Sequence, residues 1–263
     1  MKEFDELVQI MARLRGPGGC PWDRQQNHDT LKKYFVEEVY EALEAIDDRD
    51  WDKLCGELGD VLLQVVFHAR LAEERGIFDI REVLRRINEK LRRRHPHVFG
   101  NVKVKDAEEV LDNWEHIKRR EGENRQRSSV LDGVPKGLPA LQRAQDIQRK
   151  AAKVGFDWPD ASGPWAKIGE ELEELRKAAQ SDQEQAVADE LGDLLFAIVN
   201  LARFLHVDAE DALRRAVRKF EQRFRAIEKQ ACEQGRSLEE MNLREMDELW
   251  EAVKGNRGQA QEG

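Results

Sequence analysis

Apolar residues recur at helical spacing within residues 189–203, DELGDLLFAIVNLAR. Steps of three and four place such residues on one face of an α-helix. The members of this face are Leu191, Leu194, Leu195, Ile198, Leu201 and Ala202. A polar strip at the same spacing begins with Glu190 and Asp193 and continues through Ala197 to Asn200. The pattern predicts a largely buried helix that carries a polar seam.

The same pattern occurs earlier in the chain, in residues 56–70, GELGDVLLQVVFHAR. An offset of 133 positions relates the two stretches, and it also aligns the acidic peptides at 37–41 and 170–174. Smaller shifts align two further pairs of peptides, KLRRR (90–94) with KFEQR (219–223) and WEHIK (114–118) with WEAVK (250–254). Matches in the same order along both halves indicate a tandem duplication.

The duplication predicts two helical domains, at 1–119 and 140–263, joined by a linker at 120–139. The linker sequence is polar and contains Gly and Pro towards its end. In each copy we expect one helix across the EExxE motif, one across the ExxD motif and its apolar tail, and one or two more. A further helix is predicted at 140–154, and only residues 97–104, HVFGNVKV, suggest extended structure. The predicted fold class is therefore all-α.

Composition agrees with a helical, cytoplasmic protein. Charged residues make up 37% of the chain, which has only two Tyr and seven Pro. A net charge of −9 argues against affinity for nucleic acid polymers. No run approaches the roughly 18 apolar residues that a membrane-spanning helix needs, and the first residues form an amphipathic pattern unlike a signal peptide. Three cysteines without metal-type spacing are typical of reduced thiols.

The acidic motifs suggest a metal site. Residues three or four apart share a helix face, so Glu171 and Glu174 point together, as do Glu190 and Asp193. If the two helices pack antiparallel, four carboxylates meet, which is unfavourable unless cations or raised pKa values offset the repulsion. Hard divalent cations prefer oxygen ligands. The motifs therefore predict binding of Mg²⁺, with Mn²⁺ as the alternative.

A solvated surface or a di-iron site would account for the acids less well. A Glu pair on a helix is usually part of a solvated surface. Here both pairs recur in the first copy, as Glu38 with Glu41 and Glu57 with Asp60, and the spacing between the pairs is the same. A di-iron bundle would require Glu-x-x-His motifs, and no histidine has a histidine counterpart in the other copy. The chain also lacks a GxxxxGK[ST] phosphate-binding loop.

Cations and an aromatic residue accompany the acids in the second copy. Lys219 and Arg223 lie one helical turn apart, as do Trp250 and Lys254. Taken singly, these cations suit a solvated surface and the tryptophan suits a core. Taken together they also suit a nucleotide, whose phosphates would contact Lys and Arg and whose base would stack on the indole.

The duplicated EExxE…ExxD arrangement occurs together with GGCPWD, RRRHPHVFG, VGFDW and KFEQRF. In this combination it resembles the MazG family of nucleoside triphosphate pyrophosphohydrolases, from residue 1 to about residue 255. The resemblance implies an all-α fold, a homodimer, and Mg²⁺-dependent hydrolysis of NTPs and dNTPs to the monophosphate and diphosphate. Broad base specificity and clearance of nucleotide pools are also implied. Related enzymes act on dUTP or phosphoribosyl-ATP, so the fold alone does not fix the substrate.

Residue roles follow from the resemblance. The metal ligands fall on Glu171, Glu174, Glu190 and Asp193, and these form the catalytic set together with Lys219. The nucleotide contacts fall on Lys167, Ile168, Gly169, Glu170, Glu171, Ala186, Val187, Ala188, Asp189, Asp193, Lys219, Phe220, Glu221, Gln222, Arg223 and Trp250, with Lys254 nearby. One departure is Asp189, because the family can carry the longer glutamate before the ExxD motif.

The family pattern makes the second copy the main catalytic unit, and two differences between the copies agree. Asn200 is replaced by Phe67 in the first copy, which closes the polar seam there, and Lys167 is replaced by Tyr34. The first copy nevertheless keeps Glu38, Glu41, Glu57 and Asp60. The sequence therefore leaves open whether the first copy forms a second working or substrate-binding site.

Two other functions compete with broad hydrolysis. One is a non-enzymatic helical regulator that binds a nucleotide or a protein, with its acids serving only as surface charge. The other is a narrower, dUTPase-like enzyme, which would differ only in its pocket contacts. The sequence also leaves open whether the two copies pair within one chain or across two chains.

Overall fold

The computed structural model describes residues 1–107, 109–110, 113–114, 117, 129–181 and 183–258. The chain divides into two compact units, Met1–Glu121 and Gly122–Gly263. The described residues form helices and contain no strand, so the predicted all-α fold class is confirmed. None of these helices has the length and apolarity needed to cross a membrane. Part of the predicted linker lies outside the described residues, so its limits stay a prediction.

The first unit contains the helices α1 (Lys2–Arg15), α2 (Pro21–Gln25), α3 (His28–Asp48), α4 (Trp51–Glu73), α5 (Ile80–Arg94) and α6 (Pro96–Phe99). The second unit contains α7 (Ala140–Ala152), α8 (Ser162–Ala178), α9 (Glu184–Phe204), α10 (Ala209–Glu233), a 3₁₀ turn (Leu238–Glu240) and α11 (Leu243–Gly258).

Capping residues define the central helix pair of the first unit. The Asn27 side chain accepts hydrogen bonds from the backbone N–H groups of Asp29 and Thr30 and so starts α3. Arg49, with φ of 56°, ends α3, and the side chain of Asp50 caps α4. Because only these two residues connect them, α3 and α4 pack as antiparallel neighbours. This connection places the EExxE motif of α3 beside the ExxD motif of α4.

Helix α1 covers α4 and completes the core of the first unit. Met11 from α1 and Leu31 from α3 pack with Val66, Phe67 and Leu71 of α4, and all five are at least 97% buried. Burial of this many apolar side chains is the main stabilising term for the unit. Phe67 belongs to this core, whereas its counterpart in the second unit is the polar residue Asn200.

In the second unit α9 packs against α8 and α7, and α10 packs against α7 and α11. A buried amide fixes the tight turn between α9 and α10, in which His206 has φ of 56°. Gln145 of α7 is 1% exposed. Its Nε2 donates to the carbonyl oxygen of Val207 at 2.7 Å, and its Oε1 accepts from the backbone N–H of Ala209 at 3.2 Å. The turn is therefore anchored to α7.

The expected orientation of α9 is wrong for much of its apolar face. Leu191, Leu195 and Ile198 are 46%, 46% and 45% exposed, although the sequence pattern predicts that they are buried. Ala197, which belongs to the polar seam, is instead buried. The reason is that α8 packs beside the acids of α9, so the polar strip there is buried at Ala197 and half-buried at Glu190 and Asn200, whereas these apolar residues stay exposed.

The extended structure suggested for residues 97–104 is also not observed. Pro96–Phe99 forms a short helix, and residues 102–104 belong to neither a helix nor a strand. Proline favours the first position of a helix because its fixed φ is already helical and its missing N–H needs no partner. Pro96 therefore overrides the β-forming tendency of the residues that follow it.

Replacing Gln145 with leucine tests the anchor between α7 and the α9–α10 turn. The variant leaves the buried N–H of Ala209 without a partner and removes the part-buried hydrogen bond to the carbonyl of Val207, so we expect the free energy of unfolding to fall by about 2 kcal/mol. Urea unfolding followed by circular dichroism measures the change. Gln142→Leu is the control, because Gln142 lies on the same helix and its side chain makes no hydrogen bond to a described residue. An equal loss of unfolding free energy in both variants would show that Gln145 does not anchor the turn.

Candidate active site

The acids of α8 and α9 meet where the two helices pack. Single carboxylate oxygens of Glu171, Glu190 and Asp193 all lie within 4.8 Å of one another. A second group with the same spacing consists of Glu170, Glu171 and Glu174, so Glu171 belongs to both. The helix pair thus gathers all four of the acids that the sequence proposes as metal ligands, together with one neighbour.

One lysine partly neutralises this acidic cluster. The Nζ atom of Lys167 lies 2.6 Å from a carboxylate oxygen of Glu171 and 2.7 Å from one of Glu170. Hydrogen bonds to these two carboxylates raise the pKa of Lys167, so it stays protonated at neutral pH. Glu171 is only 4% exposed, and a buried carboxylate needs such a partner. A single positive charge still leaves the cluster strongly negative.

The remaining repulsion is visible at Glu190. Partial burial raises the pKa of its carboxyl group, and the negative charges of Glu174, Glu171, Asp193 and Asp189 raise it further, in that order. Both causes favour the protonated form over the charged form. A divalent cation among these oxygens would reverse the balance, because it would pair with the carboxylates that now repel one another.

The cluster fits a small, hard cation. Opposite oxygen ligands of an octahedral Mg²⁺ lie about 4.2 Å apart, since each metal–oxygen distance is about 2.1 Å. Adjacent oxygen ligands lie about 3.0 Å apart, so the oxygens of Glu171, Glu190 and Asp193, which lie within 4.8 Å of one another, would have to draw closer around the ion. All of the donors are carboxylate oxygens, which suits Mg²⁺ or Mn²⁺ better than zinc or iron.

The first unit repeats the cluster without the lysine. Oxygens of Glu38, Glu57 and Asp60 lie within 4.8 Å of one another. Burial raises the pKa of Glu38, as do the neighbouring acids, while a hydrogen bond from Gln64 lowers it. Tyr34 takes the place of the lysine. The first unit can therefore also hold a cation, although an uncharged residue stands where the second unit has a positive charge.

Residues near the acids occupy the positions that the sequence indicates. Ile168 and Gly169 lie on α8 between Lys167 and the acids, and residues 186–189 form an early turn of α9. Asp189 accepts a hydrogen bond from Nε2 of Gln185 at 2.9 Å, so this acid is held on the helix surface. Both segments therefore flank the cluster, at the end of α9 where the acids lie.

The basic and aromatic residues form a separate group on α10 and α11. The rings of Phe220 and Trp250 have centroids 5.3 Å apart, and the guanidinium of Arg223 lies 5.7 Å from the Trp250 ring centre. Lys254 pairs with Glu251 and Lys219 is exposed. Phe220, Arg223 and Trp250 therefore contact one another on α10 and α11, whereas the acidic cluster lies on α8 and α9.

The same pairing occurs in the first unit. The guanidinium of Arg94 lies 5.3 Å from the ring centre of Trp114, as Arg223 does from Trp250 in the second unit. These residues are the ones that the repeat alignment matches, so the duplication extends to a specific contact. Lys118, the counterpart of Lys254, lies outside the described residues.

A cavity of about 510 Å³ lies further along α9 in the second unit. Its walls come from α7, the loop that follows α7, and α9, and include Ile147, Trp158 and Phe196. Gln148, Asp157, Asn200 and Arg203 supply polar groups within it. Sequence reasoning singled out Asn200 but missed Gln148, which reads as one polar residue on an amphipathic helix. The VGFDW peptide, which contains Trp158, was the sequence feature that could have indicated this cavity.

The fold and the cluster define a class of protein, a duplicated all-α protein with oxygen-only acidic sites between paired helices. Comparison with known proteins is more specific. The family model of the MazG nucleotide pyrophosphohydrolase domain matches residues 26–99 and 165–227. A Thermotoga maritima protein named nucleoside triphosphate pyrophosphohydrolase/pyrophosphatase MazG is 50% identical over 252 residues, which cover 96% of either chain. This chain belongs to the MazG nucleotide pyrophosphohydrolase family.

Two further relatives are similar over nearly the whole chain. The nucleoside triphosphate pyrophosphohydrolase of Escherichia coli K12 is 47% identical over 257 residues, which cover 97% of this chain and 98% of the relative. The uncharacterized protein YabN of Bacillus subtilis is 51% identical over 253 residues, which cover 96% of this chain and 52% of that protein. The same duplicated sequence therefore also occurs as part of a longer protein.

Replacing Glu190 with glutamine tests the repulsion. The variant keeps the shape of the side chain and removes one like charge, so we expect a higher thermal midpoint without metal and little further increase when Mg²⁺ or Mn²⁺ is added. A carboxyl group with a raised folded-state pKa makes stability fall as pH rises from its ordinary pKa to the raised value, and the variant should lose this dependence.

Scanning fluorimetry with and without EDTA measures these midpoints. Glu173→Gln is the matched control, since Glu173 is an exposed acid on α8 that pairs with Arg176 and lies outside the cluster. A lower metal-free midpoint in Glu190→Gln would show that the carboxylates do not repel one another.

Proposed function

We propose that the chain hydrolyses nucleoside and deoxynucleoside triphosphates to the nucleoside monophosphate and inorganic diphosphate. The acidic cluster across α8 and α9 carries this proposal, because its ligand oxygens suit the cation that accompanies a triphosphate. Membership of the family supports it, as do the names of the Thermotoga maritima and Escherichia coli relatives. The reaction transfers the nucleotidyl group to water, and catalysis of such a transfer depends on positioning and charge stabilisation.

The metal ligands in this proposal are Glu171, Glu174, Glu190 and Asp193, and the preferred cation is Mg²⁺, with Mn²⁺ as a substitute. When bound, the cation would polarise the phosphate oxygens and make a water molecule more acidic. The four carboxylates would fix where the triphosphate lies, because they would hold its cation at the junction of two packed helices.

Basic residues would neutralise the substrate. Lys167 already pairs with Glu171, and a bound cation would release its ammonium group to a phosphate oxygen. Lys219, Arg223 and Lys254 would contribute further positive charge from α10 and α11. Trp250 packs against Arg223 and would hold the guanidinium towards the nucleotide.

Broad base specificity, nucleotide-pool clearance and a cytoplasmic location complete the proposal. All three cysteines, Cys20, Cys55 and Cys232, are free thiols, which suits a reducing compartment. The competing function is a non-enzymatic regulator that binds a nucleotide without cleaving it. Calorimetric binding of a non-hydrolysable NTP, combined with the activity assay described next, separates the two functions.

Paired substitutions in the two copies test the site. Glu190→Gln and Asp193→Asn should each lower diphosphate release by more than about 100-fold, because each removes a charged ligand from the cluster. The matched variants Glu57→Gln and Asp60→Asn should retain most of the activity if the second copy is the main catalytic unit. A panel of NTPs and dNTPs, with the products separated by anion exchange, measures both effects.

Three results would contradict these assignments. Release of a nucleoside diphosphate and inorganic phosphate would mean that the β–γ linkage is cleaved instead of the α–β linkage. Full activity in both second-copy variants would remove the metal assignment. A loss confined to the Glu57→Gln and Asp60→Asn variants would move the chemistry to the first copy.

We also propose a homodimer. Large apolar side chains stay exposed on the outer faces of α8 and α9 in the single chain, and they include Trp165, Leu172, Leu191, Leu195 and Ile198. Exposed apolar surface of this kind is typical of an interface. Sedimentation should give the mass of two chains, and Leu195→Glu should shift the equilibrium towards one chain. The exposed Leu243→Glu on α11 is the control, and a monomeric parent protein would refute the dimer.

A further inference from the structure

Two imidazole rings meet in the first unit where the start of α3 packs against α4. The Nδ1 atoms of His28 and His68 lie 2.8 Å apart, and the planes of the two rings differ by 12°. At this distance one Nδ1 carries a hydrogen and donates it to the lone pair of the other. The pair is therefore one hydrogen bond between two side chains that both titrate near neutral pH.

This geometry accommodates one additional proton but not two. When one ring is an imidazolium, its Nδ1–H still donates to the bare Nδ1 of the neutral ring. When both rings are charged, two N–H groups point at each other and two like charges share a part-buried site. Partial burial lowers the pKa of His68, and the charge of His28 lowers it further. Protonation of both rings therefore requires the rings to separate.

Separation of the rings would disturb the core of the first unit. Leu31 lies about one helical turn after His28 on α3, and Phe67 directly precedes His68 on α4. Both Leu31 and Phe67 are buried in the hydrophobic core. The ring of Phe35 also lies beside His68, with their centroids 5.8 Å apart. The hydrogen bond thus closes the helix pair at the end where α3 begins.

On α3 the pair is not surrounded by excess negative charge. The carboxylate of Asp29, which follows His28 in the chain, forms an exposed ion pair with Lys32. The hydrogen bond and charge of Lys32 lower the pKa of Asp29, and the charges of His28 and Arg75 lower it further. Asp29 is therefore shared among three basic groups, and Lys32 and Arg75 bring positive charge of their own.

Charged groups on the other elements at this end of the unit have partners. Arg15 of α1 forms an ion pair with Glu74 at 2.8 Å, and Glu74 also pairs with Arg70 of α4. The side chain of Asp79 caps the first turn of α5. The short helix α2 adds two opposite charges, Asp23 and Arg24. A second positive charge on the histidine pair therefore gains little from these groups.

The second unit has no counterpart of the pair. The repeat offset of 133 places Ala161 where the first unit has His28, and Leu201 where it has His68. Leu201 is buried, so an apolar side chain occupies this position in the second unit. The repeated fold therefore does not require a titratable hydrogen bond here.

We propose that His28 and His68 form a pH-sensitive switch in the first unit. The switch is closed while at most one ring is charged, and it opens when both rings are protonated. Opening releases the start of α3 from α4 and exposes the edge of the core at Leu31. The acids of the two units take no part in the switch, so it does not depend on the proposed function.

The lowered pKa of His68 sets the direction of the pH dependence. The unfolded chain binds this proton near pH 6.5, whereas the folded chain binds it only at lower pH. The closed state therefore loses stability as pH falls below 6.5, by up to about tenfold in the opening equilibrium for each pH unit. Burial and neighbouring acids raise the pKa values of Glu38 and Glu57, which stabilises the unit as pH falls. Comparison with a variant at the same pH separates the two effects.

Hydrogen exchange of the whole chain, resolved by peptide, measures the opening. For the peptide that begins α3, the ratio of the exchange rate in the parent to that in His68→Leu should rise about tenfold between about pH 7.5 and about pH 5. The leucine variant reproduces the apolar residue of the second unit and cannot be protonated. His68→Gln keeps a polar side chain that does not titrate, and it replaces His68→Leu if that variant folds poorly.

His97→Gln is the matched control, because His97 is another half-buried histidine of the first unit and lies outside the pair. This variant should keep the pH response of the parent, and the ratio should stay constant for peptides of the second unit. A ratio that does not change with pH at the start of α3 would overturn the switch. Loss of the response in His97→Gln, or an equal response in the second unit, would overturn it as well.

The ¹⁵N shifts of the imidazole rings test the hydrogen bond itself. At about pH 7.5 one ring of the pair should carry its proton on Nδ1 and the other on Nε2, because a donor faces an acceptor. On acidification the two rings should take up their protons in separate steps. Protons on Nε2 in both rings, or a single shared step, would show that no hydrogen bond joins His28 to His68.

Discussion

Repulsion between carboxylates is the constraint on which the second unit depends. Helices α8 and α9 pack with their acidic sides together, so carboxylate oxygens of the buried Glu171, the half-buried Glu190 and the exposed Asp193 lie within 4.8 Å of one another. Lys167 offsets one charge, and partial burial together with the remaining negative charges raises the pKa of Glu190. The arrangement persists because apolar packing elsewhere holds the helices together. Like charges confined in this way favour a cation and, on the proposed function, the triphosphate that accompanies it.

The polar seam of α9 links this charge to the cavity. Its first turns carry Glu190 and Asp193, and its later turns carry Asn200 and Arg203. One helix therefore sets the distance between the proposed metal site and the cavity, whereas a loop could change it. Helix α7 borders the cavity on its other side, where Nε2 of Gln148 donates to the carbonyl oxygen of Phe196.

The sequence predicted the helices, the duplication and the meeting of the acids, because each depends on periodicity or on neighbouring segments. Glu171 and Glu190 lie on consecutive helices with a short connection, so their approach follows from spacing. The orientation of α9 did not follow, since an amphipathic pattern does not say which neighbour covers which side. Leu191 and Leu195 are therefore exposed, although the apolar pattern predicts that they are buried. Gln148 was missed because its hydrogen bond to the carbonyl oxygen of Phe196 joins segments far apart in the sequence.

The duplication isolates one physical difference between the units. Both retain three carboxylates within 4.8 Å of one another, but Phe67 fills a core where Asn200 borders a cavity. The buried Oε1 of Gln148, which has no hydrogen-bond partner, borders the same cavity. An apolar ring at the position of Asn200 completes a hydrophobic core in the first unit, whereas the polar amide in the second unit leaves this part of α9 half-buried. The two units thus share their acids and differ in what surrounds the later turns of the helix that carries the ExxD motif.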